Sequence, residues 1–228
     1  MTAPRSILII GASRGLGLGL AGEFAAQGWA VTATVRSAAQ QAPLQAMPGV
    51  RAEQLEMTDP DSLAQLADRL SGQSFDVIFV NAGVAGPDHH STAQATAEEM
   101  GQLFLTNAVA PLRVAERLLP NLAAEHGLIV FMSSILGSIE TGAGLGMPLY
   151  GASKAALNHL VQCFVRTQDN PKLGVVLMHP GWVRTDMGGA DAPLDIDSSC
   201  KGMVRQVSAA VGQPGLRYLD FEGNPLPW

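Results

Sequence analysis

The chain has little cysteine, no long apolar run and no basic cluster, and each shortage closes off a class of protein. Two cysteines in 228 residues, Cys163 and Cys200, form no CxxC pair and have no His/Cys metal spacing. That excludes a disulfide scaffold or a zinc module and points to reduced thiols in a cytoplasmic protein. No apolar run reaches about 18 residues and no positively charged leader precedes one, so neither a membrane span nor a signal peptide is expected. A net charge of −6 without a basic cluster argues against nucleic-acid binding. The adjacent His89 and His90 do not share a helix face and have no evident third ligand, so no metal is expected. A G-x-S-x-G elbow is also missing, which removes the usual setting of a serine nucleophile.

What is present is apolar residue in short runs: 47% of the chain is hydrophobic and 15% charged, enough for one α/β domain over residues 1–228. Ser6–Ile10 reads as a buried strand. Gly11-Ala12-Ser13-Arg14-Gly15-Leu16-Gly17 follows it and leads into a helix to Gln27. Such a glycine turn lets backbone approach a pyrophosphate at the positive end of a helix. A second strand, 30–35, ends at Arg36, where a fold that prefers NAD usually carries an acid. Arg36 and Arg14 suit a 2′-phosphate, so NADP(H) is expected over NAD(H).

Further strands are expected at 50–57, 75–80, 127–132, 173–179 and 217–221, separated by helices at 37–47, 60–71, 97–119, 150–166 and 197–211. Pro111 should bend or break the fourth of the chain's helices. Strictly alternating elements give a doubly wound parallel sheet in three α/β/α layers, whose ligands lie at the carboxyl ends of the strands. Gly11, Arg36, Glu56 and Asn81 fall at those ends. Residues 188–197 are rich in Gly, Ala, Pro and Asp and read as a mobile lid, with 188–211 as the whole lid segment.

Tyr150 and Lys154 stand four residues apart, on one face of a helix. A phenol is a poor acid or base near neutrality, and a fixed ammonium one turn away would lower its pKa. Ser133 and Ser134, at the end of the fifth strand, are placed to hydrogen-bond a substrate oxygen near that phenol.

Taken together, the glycine turn, Asn81-Ala82-Gly83, Asn107, Ser133-Ser134, Tyr150-x-x-x-Lys154 and Pro180-Gly181 with Thr185 resemble the short-chain dehydrogenase/reductase family over about residues 6–190. The segment 179–190, the insert between Ser134 and Tyr150, and the ending 223–228 resemble its C-factor and sniffer-type carbonyl reductase branch. The resemblance implies a Rossmann-like sheet of order 3-2-1-4-5-6-7 and a homodimer or homotetramer. It makes Tyr150 the general acid/base, Lys154 its electrostatic partner and nicotinamide-ribose ligand, Ser134 the carbonyl-orienting residue and Asn107 the holder of a water. It places Gly11, Ser13, Arg14, Gly15, Leu16, Gly17, Arg36, Glu56, Met57, Asn81, Ala82, Gly83, Tyr150, Lys154, Pro180, Gly181, Val183 and Thr185 around the cofactor. The implied reaction is NADPH-dependent reduction of a small-molecule carbonyl. Its alternatives are a non-enzymatic NADP(H)-binding regulator of C-factor type, and an alcohol dehydrogenase working in the oxidative direction.

Overall fold

Short β-branched runs cannot form a stable layer alone; here they lie side by side and bury both faces. A computed structural model describes residues 4–228. Its strands are β1 Ser6–Ile10, β2 Ala30–Val35, β3 Val50–Gln54, β4 Val77–Val80, β5 Leu128–Met132, β6 Gly174–His179 and β7 Gly215–Asp220. They form one seven-stranded sheet of order β3-β2-β1-β4-β5-β6-β7, a Rossmann-like α/β fold. Each neighbouring pair in that sheet runs parallel.

The helices are α1 Gly15–Ala26, α2 Ala42–Gln45, α3 Pro60–Arg69, α4 Ala97–Phe104, α5 Ala110–Leu118, α6 Pro148–Arg166 and α7 Ile196–Ala210. Alternate strand residues feed two cores. Leu8, Ile10, Ile78, Ile129 and Phe131 pack with α3, α5 and α6 through Leu66, Val114, Leu157 and Val161. Ile7, Ile9, Phe79, Val130 and Met178 pack on the other face with α1 and α7 through Leu20, Phe24, Met203 and Val207. The carboxyl ends Ile10, Val80, Met132 and His179 thus come to one edge, and the loops that follow them build the site.

Several boundaries depart from the sequence expectation. β3 stops at Gln54, so Glu56 and Met57 lie in the turn beyond it. The expected helix over 37–47 shrinks to a 3₁₀ turn, Ala38–Gln40, and the four-residue α2, which carries Pro43 in its first turn. The coil continues past Pro111, but its regular α-helix is interrupted just before it by a π-helical turn, Leu105–Val109, between α4 and α5. A π turn widens the coil by one residue where Pro lacks an amide hydrogen for the carbonyl four residues back, which is that of Asn107. The 188–211 segment also divides. Only 188–195 is loop; α7 belongs to the body of the fold, with Cys200, Met203, Val204 and Val207 buried against α1. Cys163 is exposed on α6 with its thiol 3.7 Å from His159 Nε2.

Candidate active site

The glycine turn is defined by what cannot fit there. A Cβ on Gly17 would lie 2.0 Å from the Gly11 carbonyl oxygen and 2.6 Å from Asn81 Nδ2. The Asn81 amide donates to that same Gly11 oxygen at 2.6 Å, tying the end of β4 to the turn. Gly11 N–H donates to Thr34 Oγ1 at 3.0 Å. Beside Gly15 the space is open, with Thr185 Cγ2 at 3.9 Å from a Cβ there. α1 starts at this point with no side-chain cap from Arg14 and no acid in its first turn. Uncapped amides at a helix start favour an anion, so the turn fits a dinucleotide pyrophosphate. Gly15, Arg14, Thr185 and Ile196 line a cleft of about 520 Å³. Ser13 and Leu16 are half-buried in the turn, and the Leu16 carbonyl accepts from Cys200 Sγ.

The adjoining corner is looser. Arg36 is exposed and its carbonyl accepts from Gln54 Nε2 at 3.1 Å. Glu56 Oε1 accepts from both the amide and the hydroxyl of Thr58, at 3.1 and 2.8 Å. The Met57 side chain faces the core beside Leu63 and Leu66. Arg14, expected to face a phosphate, forms an ion pair with Asp186, and both side chains are mostly exposed. The remaining loop is firmly tied. Ser199 Oγ donates to Pro180 O at 2.6 Å. Val183 is buried and bridges to Leu194, and Gly188 N–H donates to Thr185 Oγ1. A Cβ on Gly181 would meet Leu194 Cδ2 at 2.8 Å.

The buried side chains meet at the start of α6. Lys154 is 3% exposed and donates from Nζ to the Met132 carbonyl at 2.8 Å. Its ammonium lies 5.6 Å from the centre of the Tyr150 ring. Asn107, in the π turn, is fully buried. Its Oδ1 accepts from Val84 N–H at 2.9 Å, and its Nδ2 donates to Val84 O at 2.8 Å and to Ser153 Oγ at 3.0 Å. A Cβ on Gly83 would press on Asn107 Oδ1 at 3.2 Å and Lys154 Nζ at 3.4 Å, so Ala82-Gly83 passes close over both. The two serines separate. Ser133 Oγ donates to Asn158 Oδ1 at 2.6 Å, whereas Ser134 Oγ accepts from Leu136 N–H and faces the Tyr150 phenol.

Burial sets the protonation states. It pushes the half-exposed Tyr150 up to about 12, with the Ser134 hydroxyl offsetting part of the rise. It pulls Lys154 down to about 8. The expected lowering of the phenol by the ammonium is therefore reversed, because both groups are desolvated and Nζ is engaged by the strand-end carbonyl. Tyr150 holds its proton through the neutral range and can act as an acid. His179, at the end of β6, is pulled down to about 4 by burial against the opposing pull of Asp220, so it is neutral at pH 7. Among the described residues no helix is long and apolar enough to cross a membrane.

Residues 5–193 match the family described as short chain dehydrogenase. The chain belongs to that family. C-signal of Myxococcus xanthus is 35% identical over 154 residues, 67% of this chain and 92% of its own length. A short-chain dehydrogenase/reductase of Burkholderia multivorans, crystallised with bound NADP, is 41% identical with a TM-score of 0.95, over 99% of this chain and 100% of its own. The carbonyl reductase Sniffer of D. melanogaster is 32% identical with a TM-score of 0.89, over 99% of this chain and 100% of its own. The chain sits in that branch of the short-chain dehydrogenases.

The site of this short-chain dehydrogenase also holds residues that sequence reasoning passed over. Asn158 receives Ser133 and donates to Gly137 O at 3.2 Å. Tyr150, Lys154 and Asn158 recur at intervals of four, so the helix face was readable and simply not extended. Tyr218 of β7 donates from its hydroxyl to the Ser134 carbonyl. It is one of two tyrosines in the chain, the other being Tyr150. Nothing in spacing joins positions 84 residues apart.

Proposed function

We propose that this short-chain dehydrogenase reduces an aldehyde or ketone to an alcohol with NADPH. The observation that carries the reading is geometric: the Tyr150 phenol stands beside the Ser134 hydroxyl, with Lys154 fixed behind it on Met132 O and 5.6 Å from its ring. When bound, NADPH supplies the hydride. Ser134 holds the carbonyl oxygen, and its hydroxyl meets the charge that grows there. Tyr150 donates its proton to that oxygen. The Lys154 ammonium favours the phenolate left behind, and Asn107 holds the 83–84 backbone against both. A phenol that is protonated at neutral pH is in the form from which reduction starts. Arg36 and Arg14 at the corner support the 2′-phosphate, as do the NADP-bound relatives. Asp186 holds Arg14 in an exposed pair that a phosphate could displace at small cost.

A regulator of C-factor type is the second reading, favoured by the likeness to C-signal. It needs the glycine turn and not the buried acid. Assembly into a homodimer or homotetramer is part of the proposal. The deciding experiment is a panel of aldehydes, ketones and alcohols assayed with NADPH and NADH in both directions. Reduction with NADPH is the expected result, and NADPH should bind more tightly than NADH at equal ionic strength. No turnover of any carbonyl would leave the regulator. Equal affinity for the two cofactors would remove the arginine corner from the reading.

A further inference from the structure

Both tyrosines of the chain converge on Ser134. Tyr150 faces its hydroxyl, and Tyr218 donates to its carbonyl. Tyr218 is 4% exposed. Its ring packs against Trp228 with centroids 5.5 Å apart. Trp228 is held in turn: its main-chain oxygen accepts from Glu140 N–H at 3.3 Å and from Ser138 Oγ at 3.4 Å. Leu226 N–H donates to Tyr218 O at 2.8 Å, which fixes the returning chain along β7. The segment 222–228 thus closes a loop. It leaves β7, folds back over Tyr218, and grips the insert that begins at Ser134.

Ser134 needs such a tether. It stands between the rigid end of β5 and the 3₁₀ turn Ile135–Gly137, with extended backbone at φ −160° and ψ 150°. Its hydroxyl caps the turn through Leu136 N–H at 3.2 Å. Beyond the turn the insert carries Ile139 and Leu145, 75% and 57% exposed. A hydroxyl that must meet a substrate oxygen within hydrogen-bond reach cannot drift with that insert.

We propose that Tyr218 is a positioning residue for Ser134, and that Trp228 holds Tyr218 in place. The C-terminal segment therefore sets the geometry of the proton-transfer site without touching substrate. The proposal rests on the carbonyl-reductase reading for its effect on rate, and on geometry alone for its effect on order.

The test uses the full chain and two readouts. In the first, hydrogen–deuterium exchange is followed by mass spectrometry in Tyr218→Phe and Trp228→Leu. Uptake should rise in peptides over residues 133–138 and stay unchanged over β1. Unchanged uptake at 133–138, or a rise throughout the sheet, overturns the proposal. In the second, 4-nitrobenzaldehyde and NADPH are assayed in a double-mutant cycle with Ser134→Ala. Tyr218→Phe should lower kcat about tenfold where Ser134 is present and hardly at all where it is absent, with NADPH affinity held. Trp228→Leu should act in the same direction and less. An equal loss in both backgrounds makes Tyr218 a merely structural residue and overturns the proposal. If the unsubstituted chain reduces neither this aldehyde nor any other carbonyl of the panel, the functional reading is what has failed there, and the exchange measurement still decides the tether; a carbonyl of the panel that it does reduce replaces the aldehyde in the cycle. If Tyr218→Phe does not fold, Trp228→Leu carries both measurements.

Discussion

The two ends of this site are built by opposite means. The glycine turn works through absent side chains and free backbone amides: Gly17 has no room for a methyl group, and α1 leaves its first amides uncapped. The end proposed for proton transfer works through polar side chains, with Asn107 and Lys154 nearly unexposed, Tyr150 half-buried and its phenol pushed up to about 12. The first end should be sensitive to added volume and indifferent to pH. The second should tolerate little loss of a polar atom and respond strongly to pH.

Removing the acid should have the largest effect. Tyr150→Phe is expected to lower kcat about 10²- to 10⁴-fold while leaving NADPH binding intact, as read by steady-state kinetics and cofactor fluorescence titration. If cofactor binding fell equally, the two ends would not be separable. Gly17→Ala should do the reverse. Its methyl group would press on the Gly11 backbone carbonyl and the Asn81 side-chain amide, so NADPH affinity should collapse. The same crowding should cost about 1–3 kcal/mol in a denaturant titration. A variant that binds NADPH normally would show that the turn is merely a tight connection.

The pH profile sharpens the contrast further. Lys154 discharges as pH rises through about 8, while Tyr150 remains an acid to about 12. Reduction should therefore weaken above pH 8, approaching about tenfold per pH unit if the ammonium is essential. NADPH affinity in Tyr150→Phe, followed over the same range, separates a binding effect from a chemical one. A limb near pH 10 would mean that Lys154 keeps its ordinary value and is not held as the structure describes.

The smallest effect concerns stability. Holding Lys154 charged while its pKa drops from 10.5 to about 8 costs on the order of 3 kcal/mol. Lys154→Met removes that cost but leaves the Met132 carbonyl unpaired, which returns about 1–3 kcal/mol. The variant should be inactive and at pH 7 more stable by about 1 kcal/mol in a denaturant titration. The unfolded lysine binds its proton more tightly than the folded one. Stability of the unsubstituted chain therefore rises between pH 8 and 10.5, and the variant's advantage shrinks over that interval. A less stable variant at pH 7 would place the Met132 hydrogen bond above the burial cost.

The same contrast governs what could be read in advance. The glycine turn, the strand runs and the Tyr150–Lys154 face are local patterns, and they are visible in order along the chain. The order of the strands came from likeness to a family, since runs such as Ile7–Ile10 and Val77–Val80 do not say which neighbours they choose. The direction of the Tyr150 shift was misread because spacing places an ammonium near a phenol but does not say how dry the place is. Arg14 meets Asp186 across 172 positions, and Tyr218 meets Ser134 across 84; both depend on the completed fold. Likeness to the family put Met57 around the cofactor, and it does not say that the side chain packs into the core, as it does here.

The π turn at Leu105–Val109 carries a last consequence. One surplus residue there shifts the phase of everything downstream by about 100°, the angle between successive residues of a regular helix. Asn107 faces the site from within that turn, and Leu112, Val114 and Leu118 pack into the core beyond it. A relative lacking one residue in this stretch would not have a slightly shorter helix. It would rotate Asn107 relative to the packed face beyond it, so the length of this segment carries information as well as its letters.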